Sequence, residues 1–388
     1  MATFPAVGRR DVGEAFIVDA ARTPIGKRDG ALASLHPAVL FGDLVRARLE
    51  AVGVDPHDVD DVVCGCATKC GEQGGNIARL AILAAGLPVS LSATTVDRQC
   101  GSSLTAINMA AASVMSGAQD LVVAGGVESM SRVPMASDGL KLPEPYVERF
   151  DVVGQGYSAE LIAQRWNLSR HELALWSCES HRRAIAARTA FGREIVPVTV
   201  SDNGSSRIVA SDEGPRPDTT VEKIEGLKTP FKADGVISAG NSSQISDGAA
   251  CVTIASPDCA KRLGLWPRAR ILSFAYAGVD PTIMLTGPIY AIPKALAKAG
   301  LALNQIDFIE LNEAFMSVVL ATRDELGLDM ERTNARGGAV ALGHPLGASG
   351  ARLVVTLLHI LEDHGAHYGL ASLCIGFGDG VATVIERL

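Results

Sequence analysis

Residues 117–126 read GAQDLVVAGG, and residues 365–376 read GAHYGLASLCIG, starting 248 positions later (365 − 117). Each opens on Gly-Ala, passes through an apolar run of strand length and ends at glycine. A second pair repeats the relation. VDDVVCG (59–65) answers to IDFIELN (306–312), with Asp61 and Asp307 lying 246 apart (307 − 61). Two matches at nearly one offset point to a duplicated domain. On the 248 offset Cys100 lies opposite Ala348, so two helix starts face one cleft.

Working outward, strands and helices alternate in both copies. In the first, 14–22, 59–66, 92–97 and 120–126 read as strands, and 37–53, 75–86 and 102–117 as helices. In the second, 290–300, 313–327 and 348–365 read as helices, and 306–312, 367–376 and 381–387 as strands. The expectation is a layered α/β fold. Between the copies the rhythm breaks. Residues 127–157 are rich in Met, Ser, Pro and Gly, and 201–218 are polar and turn-rich. Two helices lie between them, 158–166 and a longer one after Ser169, which with Glu172 makes a capping-box pattern. The expected division is a first half, 1–126, completed by 246–266, an insertion, 127–245, and a second half, 267–388.

The 388 residues are 47% hydrophobic and 20% charged, which suits a compact chain with ample core. A net charge of −8 argues against nucleic acid as the main partner. No apolar run reaches the length of a membrane span. Arg9-Arg10 hints at a twin-arginine signal, but Asp11, Glu14 and Asp19 interrupt any apolar stretch behind it. The expected location is cytoplasmic. Eight cysteines without a leader do not suggest a disulfide framework. Cys64, Cys66 and Cys70 invite a metal-ligand reading, but no second ligand cluster accompanies them, and a buried strand end suits them better.

Four places carry chemistry. Residues 334–350, NARGGAVALGHPLGASG, hold five glycines and pin His344 between Gly343 and Pro345. A histidine on a rigid glycine turn is placed for proton transfer, although such a turn also serves simple packing. Cys100 precedes a long helix, where the dipole and free N–H groups favour a thiolate and can hold an oxyanion; alone it also suits a packed helix start. Cys374 ends an apolar strand and runs into Gly376-Phe377-Gly378-Asp379-Gly380, placed for acid/base work. Asn312 ends another strand and reads either as a polarising amide or as a helix cap.

At these residues the chain resembles the thiolase family. The 334–350 segment is similar to its histidine motif, QCGSSLTA around Cys100 to its nucleophile motif, NEAF (312–315) to its asparagine motif, and CIG (374–376) to its last cysteine motif. GEQGGNIAR (71–79) and SSQISDGAA (242–250) are thiolase-like as well. The resemblance covers nearly the whole chain. It implies a duplicated five-layered α-β-α-β-α fold with an inserted loop domain that binds coenzyme A, in a homodimer or homotetramer. It implies Cys100 as the nucleophile, His344 as its activator and Cys374 as the acid/base. Asn312, through a water, and His344 would form one oxyanion hole; the backbone N–H groups of Cys100 and Gly376 would form the other. Ser243 and Arg216 match coenzyme A contacts. Acyl-CoA and CoA are then substrates, with no tightly bound cofactor, no metal, and neither nucleic acid nor membrane as partner.

The implied reaction is thiolytic cleavage of a 3-ketoacyl-CoA to acetyl-CoA or propionyl-CoA and a shortened acyl-CoA, through an acyl-cysteine. The alternatives are a biosynthetic acetoacetyl-CoA thiolase and a non-catalytic acyl-CoA binding protein. Three departures bear on the choice. Asp97 stands where the family has Asn or a small hydroxyl residue. Phe377 and Asp379 interrupt a glycine run, Phe377 reshaping the acyl space and Asp379 raising the Cys374 pKa if the two are close. Residues 153–157, VGQGY, lack the His-Met pair of acetoacetyl-CoA-forming members, and MLTGPI (284–289) also fits degradative ones.

Overall fold

The computed structural model describes residues 13–202 and 205–388, so Arg9, Arg10 and Asp11 lie outside the described residues. The first copy runs β1 (Phe16–Arg22), a short β2 (Gly26–Lys27), α1 (Pro37–Val52), β3 (Asp61–Gly65), α2 (Ile77–Ala84), β4 (Ser92–Val96), α3 (Ser102–Met115) and β5 (Leu121–Ser129). Local chemistry sets these bounds. Helix α1 starts with Pro37 in its first turn and the His36 ring accepting from the Ala38 N–H. It stops at Gly53, whose φ of 69° is cheap only for glycine.

The chain then leaves through α4 (Glu144–Arg149), α5 (Gln155–Arg165), α6 (Arg170–Ala186), α7 (Arg188–Phe191), β6 (Val198–Asp202), β7 (Ser205–Val209) and α8 (Val221–Glu225). The polar, turn-rich stretch is thus in part a hairpin, β6 against β7. Ser169 caps α6 through the Glu172 N–H (3.1 Å), but the Glu172 carboxylate bonds Arg323 instead of returning, so half of the capping pattern forms. The chain returns on β8 (Ser246–Ala255) and α9 (Pro257–Leu263). The second copy comprises β9 (Ala269–Gly278), α10 (Gly287–Ala299), β10 (Phe308–Leu311), α11 (Met316–Leu326), α12 (Ala339–Leu342), α13 (Ser349–His364), β11 (Tyr368–Ile375) and β12 (Asp379–Arg387).

The strands lie in the order β10-β11-β12-β9-β1-β8-β5-β3-β4, the two copies joining where β1 pairs β9. Read outward from that seam, the copies match. β8 and β12 run antiparallel to their neighbours, while β3 with β5 and β10 with β11 are parallel. Even β4 has an echo, a parallel bridge from Ile309 to Thr333. Helices α3 and α13 pack on each other and on strands of both copies; α1 and α2 cover one sheet half, and α10 the other. The result is five layers, α-β-α-β-α.

The central layer has a largely apolar core. Leu353, Val354, Leu357, Leu358 and Leu361 of α13 are fully buried, each burial stabilising by roughly 1.5–3 kcal/mol. The helices approach closely because a Cβ at Gly350 would overlap the Leu104 backbone nitrogen. The Ala351 N–H donates to Ser103 Oγ across the same crossing (2.9 Å). That contact sets the two helix starts side by side.

Candidate active site

Cys100 sits on a tight turn between β4 and α3. Asp97 accepts from the Gln99 N–H (2.7 Å), and Ser102 Oγ accepts from the Arg98 N–H while donating to Gln99 O. These bonds hold Gln99 at φ 47°, a left-handed conformation costly for a side-chain-bearing residue. Asp97 therefore serves as a turn cap. Cys100 is buried among Ala67, Met130 and Leu346. Burial pushes its thiol up to about 12, against a Gly376 N–H directed at the sulfur that favours the thiolate.

His344 follows Gly343, whose φ of 107° only glycine adopts readily. Its own N–H donates to Gln244 O (3.1 Å). Its Nδ1 lies 2.5 Å from Ser349 Oγ, and that hydroxyl donates to Pro345 O (2.8 Å). With its one proton used there, the hydroxyl accepts from Nδ1–H, which leaves the lone pair on Nε2. Asn312 Nδ2 faces that Nε2 at 3.3 Å. Burial, with a smaller effect from Arg352, lowers the His344 pKa to about 3, so the imidazole is a neutral base at ordinary pH.

Asn312 is fully buried, and its Oδ1 has no partner. The cap reading is set aside: α11 starts at Met316, after Phe315, with no side-chain cap. Cys374 is also fully buried; burial and then the neighbouring Cys100 push its thiol well up. The expected influence of Asp379 on Cys374 is not found. Asp379 is held by Arg98 (2.6 Å), so its charge is compensated. Phe377 takes φ 65°, stays 44% exposed and leans edge-on to Tyr146 at 6.5 Å.

His344 opens into a cleft of ≈ 530 Å³ lined also by Leu346, Phe315, Ser243, Gln155 and Arg216. Both sequence-proposed coenzyme A contacts thus share a cleft with the histidine. The Ser243 N–H donates to Ala314 O, and the Arg216 N–H to the buried His181 ring (3.1 Å). Cys64, Cys66 and Cys70 are free thiols, and among the described residues no cluster suited to a metal ion occurs.

Four supporting residues escaped sequence reasoning. Ser349 fixes the imidazole. The Gln244 amide donates to Gly214 O, Val340 O and Ala341 O. Buried Glu128 accepts from the Ala67, Thr68 and Gly347 N–H groups and from Gln73, tying the histidine turn to the first copy. Buried Glu313 accepts from Ser180, Asn334 and Val340. The available signal was a carboxylate inside an apolar strand, as in VVAGGVES, which demands partners.

Residues 15–258 match the thiolase N-terminal domain, and residues 265–387 the thiolase C-terminal domain. The chain belongs to the thiolase family. It is 46% identical over 390 residues to a steroid 3-ketoacyl-CoA thiolase of Mycobacterium tuberculosis, covering 97% of this chain and 94% of that protein. It is 42% identical to the 3-oxoadipyl-CoA/3-oxo-5,6-dehydrosuberyl-CoA thiolase of Escherichia coli, covering 97% and 100%. The crystal structure of the Bacillus anthracis acetyl-CoA acetyltransferase superposes with a TM-score of 0.91 at 39% identity, covering 97% of this chain and all of that one. This thiolase is accordingly an acyltransferase.

Proposed function

We propose that this thiolase cleaves 3-ketoacyl-CoA by transfer of the shortened acyl group through Cys100 to free CoA. The observation that carries the reading is Cys100, with the Gly376 N–H on its sulfur, buried against Leu346 of the turn that bears a neutral His344, whose Nε2 keeps a lone pair shared only with the Asn312 amide. His344 Nε2 takes the thiol proton as the Cys100 sulfur adds to the 3-carbonyl, whose oxyanion meets the Cys100 and Gly376 N–H groups. The C2–C3 bond breaks, and the acetyl-CoA enolate oxygen is held by His344 Nε2–H and by a water on Asn312. Cys374 gives the enolate its proton. The Cys374 thiolate then takes the proton of the incoming CoA thiol, whose sulfur carries the acyl group away as the Cys100 thiolate leaves and takes its proton back from His344. Ser243 and Arg216 hold the CoA.

The degradative direction is supported by the VGQGY stretch without a His-Met pair and by the steroid and 3-oxoadipyl-CoA relatives. The acetyl-CoA acetyltransferase likeness keeps acetoacetyl-CoA synthesis as the second reading. We also infer a cytoplasmic homodimer or homotetramer, which sedimentation and fractionation test. CoA consumption measured across acetoacetyl-, medium-chain, long-chain and steroid side-chain 3-ketoacyl-CoA decides among the readings. Turnover of the larger substrates with an acyl adduct on Cys100 is expected. Turnover of acetoacetyl-CoA alone points to the biosynthetic reading, and tight binding without any adduct defeats both.

A further inference from the structure

The turn bearing Cys100 belongs to the first copy and the turn bearing Gly376 to the second, so something must set the spacing of their N–H groups. Two contacts cross that gap. Gly101 lies flush on Ile375, where any Cβ would strike its side chain. Beside it, Arg98 Nη1 reaches Asp379 Oδ2 at 2.6 Å, linking residues 281 apart in sequence. The Arg98 guanidinium also lies over the Tyr276 ring of β9, 4.3 Å from its centre. Its Nε is buried without a partner, so the group is held by Asp379 and the ring. Asp379 is equally fixed: its other oxygen accepts from the Gly380 N–H (2.9 Å), and it pairs with Ile375 in the last rung of the β11–β12 ladder. Arg98 stands two residues before Cys100, and Asp379 three after Gly376.

We propose that Arg98 and Asp379 are positioning residues, a paired clamp that fixes the spacing between the Cys100 and Gly376 N–H groups and so the width of the oxyanion hole they form. The inference rests on the acyl-transfer role proposed for Cys100. It gives the charged departure in the glycine run a part in the reaction. Neither side chain touches substrate. An ion pair this open to solvent adds little to overall stability, so its loss registers in catalysis before folding.

Asp379→Asn and Arg98→Met test this, each compared with the double variant and with Arg98→Lys. The expected result is a roughly tenfold lower kcat in each single variant, with KM for CoA and for the acyl substrate within about twofold and an unchanged Tm. The double variant should be no worse than either single one, and Arg98→Lys should recover most of the rate. Alkylation of Cys100 by iodoacetamide should also slow, its pH profile moving to the alkaline side as the Gly376 N–H drifts from the sulfur. That readout needs no turnover, so it separates failure of the clamp from failure of the proposed reaction. Additive losses, losses confined to KM, losses that follow Tm, or an unmoved alkylation profile each overturn the clamp.

Discussion

Burial keeps His344 and Cys100 both neutral in the resting protein, so the proposed nucleophile and base form an ion pair only as the reaction begins. With the imidazole near 3 and the thiol near 12, neither group titrates around pH 6.5. Alkylation of Cys100 by iodoacetamide should therefore rise steadily from pH 7 to pH 10; a plateau beginning near pH 7 would mean that a thiolate–imidazolium pair already exists. The tautomer depends on one hydroxyl. Ser349→Ala removes the acceptor for Nδ1–H, so part of the population will carry its proton on Nε2, where it cannot accept from Cys100. A drop in kcat of about tenfold is expected, with CoA binding by calorimetry unchanged. An unchanged kcat would show that backbone contacts alone orient the ring. His344, Cys100 and Cys374 were legible in the sequence because glycine and strand-end settings are local features. The work of Ser349 was not, since a serine opening a helix reads first as a cap. Nor was the pairing of Asp379, whose compensating arginine lies 281 residues away.

At the scale of elements, the contact of α3 with α13 sets the Cys100 turn beside the His344 turn, the nucleophile and base of the proposed reaction. Gly350→Ala drives a methyl into the Leu104 backbone, with no flexible side chain to yield. A loss of ~1–3 kcal/mol in urea unfolding is expected, together with reduced turnover, because both helix starts carry active-site loops. Gly365→Ala is the instructive contrast: nothing crowds that site, but its φ of 59° penalises the substitution by ~1–2 kcal/mol. Stability should fall there while kcat holds; equal kcat losses at the two glycines would refute the alignment role of the crossing. The elements themselves were largely readable. Apolar strands such as LVVAGG and the glycine stops at Gly53, Gly300 and Gly365 mark their limits in the sequence, and the structure moves most ends by one to three residues. The β6–β7 hairpin was not, because in SDNGSSRIVASD its exposed residues lack apolar alternation.

Across the whole molecule, the insertion and the two copies are joined by buried polar groups whose protonation is linked to folding. His181 on α6 accepts from the Arg216 N–H, and burial, followed by the Arg216 charge, lowers its pKa to about 4. Unfolded, it binds a proton near 6.5. Its contribution is thus complete above pH 6.5 and lost as pH falls from 6.5 towards 4. His181→Gln retains an acceptor that does not titrate, so between pH 6.5 and pH 4 its urea midpoint should fall less than that of the unaltered protein. Parallel curves would show that His181 is not an acid-sensitive joint. One larger regularity remains in the ladders. Counted back from the last rungs, Ser129 with Asp247 and Ile375 with Asp379, the next positions are Glu128 and Cys374, 246 apart (374 − 128). Each belongs to one copy and reaches the turn of the other: Glu128 the histidine turn, Cys374 the Cys100 turn. Matching rungs of the two copies thus do unlike work, a brace at Glu128 and, in the proposed reaction, a proton carrier at Cys374, so that two similar strands frame a single asymmetric site.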